Sequence, residues 1–314
     1  MPMIQLRGGA YYKKSRPWGR IIITGILLLV ILAIAGIAVK VGWSLTHPDR
    51  IRVSVPAMAR GLKLQNVSFP SRMDKIQLKG WFVPAQGSQK TIIFVHGYRN
   101  NRLQENVPAI AAAGELVRKG YNVLLFDLRN SGESAGNLTS VGQFETRDVL
   151  GAVDYVKTRG AQGKHIGLLG FSMGGAAAIM AAVEDKQVEA LVADSAFADL
   201  TTYLKENLPV WSNLPAIPFT PVIMTLIPPV TGINPAEVSP VRALSGIKIP
   251  VLFIHGKADT AVPYKNSEQL YQAAPAKGRE LLLIEGADHV KSYQVRSKEY
   301  IARVSSFFDK HLAK

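Results

Sequence analysis

None of the 314 residues is a cysteine. That excludes a disulfide framework and any thiolate metal site, while leaving either redox compartment open. Acids are scarce as well: 23 Asp and Glu stand against 37 Lys and Arg, a formal charge of +14. Such an excess raises nucleic acid as a partner. The basic residues beyond the amino terminus, such as Lys119, Lys164, Lys265 and Lys298, are however scattered and form no stripe interleaved with aromatics. They read as a solvated surface with no nucleic-acid site, and attraction to an anionic membrane or wall explains the excess as well. No His/Asp/Glu group shows metal-ligand spacing and no glycine-rich phosphate loop is present, so neither metal nor cofactor is expected. Internal repeats and low-complexity tracts are missing too. What remains, 47% hydrophobic and 19% charged, is the composition of a globular chain able to bury a sizeable core.

Charge is absent altogether from Ile21 to Val39, nineteen residues whose only hydrogen-bonding side chain is Thr24. As a helix this run would measure about 28 Å, close to the hydrocarbon thickness of a bilayer. Trp18 and Trp43 flank it where aromatic belts sit. Residues 1–20 hold Arg7, Lys13, Lys14, Arg16 and Arg20 and no acid, whereas Lys40, Arg50 and Arg52 follow the run with Asp49 among them. The bias favours a cytoplasmic tail (1–20), a transmembrane signal-anchor (21–41) and a large outer part, hence a single-pass protein of the cell membrane. A cleaved signal peptide ending near Ala33-Ile34-Ala35 is the alternative, opposed by the long basic leader and the long apolar run.

Residues 42–61, with Pro48, Pro56 and scattered arginines, read as a linker. From Leu62 onward, short apolar strand-like runs (91–97, 121–127, 165–172, 188–195, 251–256, 280–286) alternate with helical stretches near 104–119, 146–159, 173–184, 265–274 and 293–310. Residues 67–83 look like an amino-terminal hairpin. This alternation predicts a doubly wound, mostly parallel α/β sheet over residues 62–314. One interval, about 197–249, is too long and proline-rich for a loop, and predicts a small helical cap insertion.

The chemistry gathers around "GFSMGG", residues 170–175. A strand-like run precedes Ser172 and an alanine-rich helix former follows it, the strand–turn–helix context of a nucleophile elbow. The sharp turn needs small residues two before and two after the serine, supplied by Gly170 and Gly174. A serine hydroxyl needs a base and an orienting acid, in the order Ser, Asp or Glu, His for this architecture. Asp259 and His289 both leave carboxyl ends of expected strands. Asp194 is a rival acid at the end of another strand, and Asp288 adjoins the base. The backbone N–H of Met173 and that of Tyr98, in the loop after the run 91–95, are the expected oxyanion donors. Only the Tyr98 amide is implicated, so its side chain could be replaced without loss of this donor.

Together "HGYRNN" (96–101), "DLRNSGES" (127–134), "GFSMGG", "HGKADTAVP" (255–263) and "GADH" (286–289), in this order, resemble the α/β-hydrolase family. The likeness covers residues 62–314. Within the family the chain is similar to single-pass, membrane-anchored bacterial hydrolases of the Bem46-like group, and distantly to the prolyl-oligopeptidase catalytic domain. The resemblance implies Ser172 as nucleophile, Asp259 as acid, His289 as base, and Tyr98 and Met173 as oxyanion donors, with no cofactor. It implies an ester, thioester or amide as substrate, from a small acyl compound or a peptide; a catalytically silent binding module of the same fold is the contrary reading. Asn130 departs from the family's usual glycine, which should affect a turn and not the chemistry.

Overall fold

The computed structural model describes residues 18–104 and 107–312. Residues 1–17, and with them four of the five basic residues of the expected cytoplasmic tail, lie outside that range.

The expected apolar run is a helix, α1 (Trp18–Thr46), followed by β1 (Gln65–Pro70), β2 (Gln77–Val83), β3 (Lys90–Val95), α2 (Ala109–Arg118), β4 (Asn122–Phe126), α3 (Glu145–Lys157) and β5 (His165–Phe171). Then come α4 (Met173–Glu184), β6 (Val188–Asp194), α5 (Leu200–Ser212), α6 (Ala216–Thr231), α7 (Pro240–Ala243), β7 (Val251–Gly256), α8 (Lys265–Ala273), β8 (Arg279–Ile284), α9 (Ser292–Val295) and α10 (Ser297–His311). All eight strands form one sheet in the order β1-β2-β4-β3-β5-β6-β7-β8. β1, β2 and β4 pair antiparallel, and every pairing from β4 through β3 to β8 is parallel. This is the α/β-hydrolase fold with its mostly parallel sheet.

Strand side chains alternate between two cores, as period-two geometry demands. Ile93, Val95, Leu124, Phe126, Leu168 and Phe253 face one side, covered by α3, α4 and α8. Ile92, Phe94, Val123, Leu125, Leu169 and Ile254 face the other, under α2 and α10. Burial on both faces explains why the strands read as unbroken apolar runs. Replacing one of the fully buried rings, such as Phe253, with alanine would cost about 3–5 kcal/mol.

Three boundaries differ from the sequence expectation. α2 starts at Ala109, not 104, because Pro108 disfavours helical backbone at the residue before it. The last helix is divided by a non-helical Arg296 into α9 and α10. The expected linker 42–61 is helical as far as Thr46, and the stretch after it is tied to the domain. There the Arg50 guanidinium donates to the carbonyl of Ser134 at 2.7 Å, and Asn101 Nδ2 donates to the carbonyls of Ile51 and Arg52 at 3.2 and 3.3 Å.

Between β6 and β7 the chain forms the cap: α5, α6, α7 and short 3-10 turns. α6 packs along the carboxy-terminal half of α1, where Ala38, Leu208, Ile223 and Ile227 make a separate small core.

Candidate active site

β5 ends in the middle of the sheet and the chain turns at once into α4, so Ser172 sits on the bend. Its φ of 52° and ψ of −119° are strained for a non-glycine residue. The neighbours have no room for side chains: a Cβ on Gly174 would lie 2.2 Å from the carbonyl oxygen of Val95, and one on Gly170 would lie 2.4 Å from that of Gly174. The turn is held by the Ser172 N–H, which donates to the Asp194 carbonyl at 2.8 Å.

β7 and β8 deliver the other two groups. Ser172 Oγ lies 2.9 Å from His289 Nε2, and His289 Nδ1 lies 2.7 Å from Asp259 Oδ2. A carboxylate only accepts, so Nδ1 carries the proton and Nε2 is free to accept from the serine hydroxyl. Asp259 is tightly held: Oδ1 accepts the N–H groups of Ala261 and Val262 at 2.9 and 2.8 Å. Burial by itself would raise its pKa, but hydrogen bonds from His255, His289 and the Val262 amide outweigh that and bring it down to about 2. The acid is therefore a carboxylate at any ordinary pH.

His255, to which the sequence assigned no role, is a second imidazole on the same carboxylate. Its Nε2 faces Asp259 Oδ2 at 3.1 Å and the Val262 carbonyl at 2.7 Å, and its Nδ1 meets Ser267 Oγ at 2.7 Å. Two acceptors at Nε2 require the proton there, so His255 donates to Asp259 and locks its rotamer. Its place four residues before Asp259 in "HGKAD" was the available signal.

The rival acid Asp194 does not contact the imidazole. It is fully buried, accepts from Ser195 Oγ at 2.9 Å, and burial raises its pKa to about 6 against the effect of that bond. Ser195 Oγ also accepts the Val290 N–H at 3.2 Å, which steadies the loop carrying His289. Asp288 pairs with Lys291 at 3.4 Å on the surface.

Met173 opens α4, so its N–H has no carbonyl one turn earlier to bond. The loop bearing Tyr98 passes tightly over the elbow, since a Cβ on Gly97 would stand 3.4 Å from the Cβ of Ser172. Buried His96 shapes this loop. Its Nε2 accepts the Leu128 N–H at 3.0 Å and its Nδ1 meets the Gly97 carbonyl at 2.8 Å, while burial keeps its pKa low and the ring neutral. Gln104 Oε1 accepts the Gly97 N–H at 2.6 Å. The "DLRNSGES" segment is a brace for the same loop: Asp127 accepts the Arg102 amide at 2.8 Å and its guanidinium at 2.6 Å. Asn130 has a φ of 54°, a left-handed conformation that asparagine tolerates better than most residues, which is why it can stand for glycine.

The Tyr98 side chain has partners of its own, apart from the backbone donor. Its hydroxyl donates to the Leu45 carbonyl on α1 at 2.5 Å, and its ring stacks on Trp211 of the cap at 5.4 Å. Trp211 meets Tyr203 edge-on at 5.4 Å, and Tyr203 stacks on Phe197 at 5.3 Å. Above this ladder lies a narrow apolar pocket walled by Leu45, Tyr98, Leu204, Trp211, Met224 and Ile227, among others.

Comparison with known proteins agrees with this arrangement. The sequence profile of the prolyl oligopeptidase family matches residues 109–314, more than half the chain. The chain belongs to that family. It is 30% identical over 234 residues to YqkD of Bacillus subtilis (strain 168), covering 74% of this chain and 75% of that one. The esterase Pf2001 of Pyrococcus furiosus superposes with a TM-score of 0.73 at 28% identity, over 86% of this chain and 99% of that one. The acylaminoacyl peptidase of Pyrococcus horikoshii, at 20% identity and a TM-score of 0.61 over 81% of this chain and 42% of that one, shares the fold. The protein is thus a hydrolase of α/β fold, a class that acts on small molecules or peptides.

Proposed function

We propose that the protein is a membrane-anchored serine hydrolase that cleaves an ester, thioester or amide through an acyl-enzyme on Ser172. The observation that carries this reading is one imidazole bridging Ser172 Oγ at 2.9 Å and Asp259 Oδ2 at 2.7 Å. As Oγ attacks the carbonyl carbon, its proton passes to His289 Nε2, and Asp259 balances the imidazolium charge through Nδ1–H. The Met173 and Tyr98 amides donate to the oxyanion. Collapse expels the leaving group, which takes the proton from Nε2–H. Water then repeats the sequence and releases the acid.

A fluorophosphonate probe should label the wild type and leave Ser172→Ala unlabelled; undiminished labelling of that variant would refute the assignment. Family membership favours a peptidase as the second reading. Turnover of peptide amides at rates matching esters would establish it.

For the anchor, the supporting observation is exposure. Large apolar side chains from Ile21 to Leu32 stand bare along α1, Leu29 at 67%, a surface that water tolerates poorly and lipid tails match. With the basic leader inside, the hydrolase domain lies outside the cell. Protease digestion of intact cells should remove the domain; its survival would reverse the orientation.

A further inference from the structure

From Asn207 to Ala236 the cap runs thirty residues without Lys, Arg, His, Asp or Glu, a longer uncharged stretch than the nineteen of Ile21–Val39. An ordinary lid between water and substrate has no need of this. Its placement explains it. The amino-terminal half of α6 shares an apolar groove with α1, Pro218, Pro221 and Val222 lying opposite Ile31, Ile34 and Ala35. The carboxy-terminal half closes on Ala38 and Gly42, where a Cβ would stand 2.2 Å from Ile227 Cγ1. α6 therefore climbs beside α1 in the same direction. Its start lies at the depth of Ile31, about 16 Å below Gly42, near the middle of a hydrocarbon core about 30 Å thick. Ile217, at this start, is 83% exposed, and α5 and α6 meet there at a bend of 117°.

The apolar pocket sits directly above. One wall is α1 itself, through Gly42, Leu45 and Thr46, and another is α6, through Ile223 and Ile227. Tyr98 also lines it, and the residue before it, Gly97, lies against Ser172, where a Cβ would stand 3.4 Å from the serine Cβ. The cavity is small, about 70 Å³, and most of the side chains lining it are apolar.

We propose that α6 is a re-entrant membrane element, and that the substrate is an acyl ester or thioester resident in the outer leaflet. Its single alkyl chain passes between α1 and α6 into the pocket and presents its carbonyl to Ser172. This rests on the acyl-enzyme reading for the chemistry and on the anchor reading for the depth. The chain is the acyl part: it leaves as a fatty acid after water hydrolyses the Ser172 ester, and the alcohol or thiol departs with the proton from His289.

A chain without cysteine accepts single reporters cleanly. In full-length protein in phosphatidylcholine nanodiscs, a fluorophore on Ile217→Cys should be quenched at least two-fold more by lipids carrying a nitroxide deep in the acyl chain than by aqueous iodide. Met73→Cys, a site 69% exposed near the β1–β2 turn, should show the reverse order. Equal iodide quenching at both sites would overturn the insertion. This measurement needs no catalysis, so it tests the insertion whether or not fluorophosphonate labels Ser172. For the substrate, Met224→Trp should lower the ratio of dodecanoyl to acetyl ester turnover at least ten-fold, and Leu204→Phe, a milder filling of the same slot, should lower it in the same sense. An unchanged ratio in a folded variant would overturn the acyl assignment, and so would a wild type that prefers dodecyl acetate to methyl dodecanoate.

Discussion

The candidate catalytic corner and the cap beside it are built from opposite materials. At the corner every group is directional: Asp259 accepts two amides and faces two imidazoles, and each contact lies between 2.7 and 3.1 Å. The cap is made of Leu208, Ile223, Ile227 and their neighbours against α1, contacts with no preferred angle. Proton transfer needs atoms placed to within a few tenths of an ångström, whereas selecting a hydrocarbon needs only shape and dryness. Damage to the corner should therefore slow every substrate alike, and damage to the cap should depend on chain length.

That contrast can be broken at several points. The largest effect is expected from His289→Gln, which keeps a polar side chain but no base: kcat/KM should fall by about 10³-fold or more on acetyl and dodecanoyl esters equally. A loss confined to long chains would erase the distinction. Next comes Asp194→Asn. Burial raises the Asp194 pKa to about 6, above its unfolded value, so its contribution to stability is full below about pH 4 and is lost as pH rises through 6. The asparagine should flatten this slope and gain up to about 3 kcal/mol at pH 8 in denaturant titrations. A variant as pH-sensitive as the parent between pH 4 and 7 would refute it.

A smaller effect is expected at His255. His255→Phe removes one charge-assisted bond to Asp259, worth about 1.5 kcal/mol, so kcat should drop roughly ten-fold with KM little changed. If KM rose and kcat held, His255 would belong to the pocket and not to the corner. Smallest is Asn130→Gly, which relieves the left-handed backbone but loses a bond to Thr139 Oγ1 at 3.2 Å. Stability should move by no more than about 1 kcal/mol and turnover not at all.

The two regions also differed in how legible they were. Strands β3 to β7 were readable because burial on both faces writes them as apolar runs, and Ser172, Asp259 and His289 because each ends or follows a strand-like run. His255 was not, since its place four residues before Asp259 is a signal of proximity only and does not show that the ring faces that carboxylate across the turn. The role of Tyr98 in holding Leu45 was likewise invisible, the two residues being 53 positions apart. Nothing local showed that the helix begun at Trp18 continues to Thr46, where its last turns lie against α6.

By itself the sequence determined the class of fold, the presence of one long apolar amino-terminal helix, and the order in which the candidate catalytic residues appear. These follow from periodicity, length and turn chemistry, which are local. Only the tertiary structure decided that Asp259 and not Asp194 faces the imidazole, that a second histidine backs that carboxylate, and that α1 forms a wall of the pocket. Each depends on which strand ends and helix faces lie side by side, and packing, being long-range and without sequence periodicity, settles that only when the chain has folded.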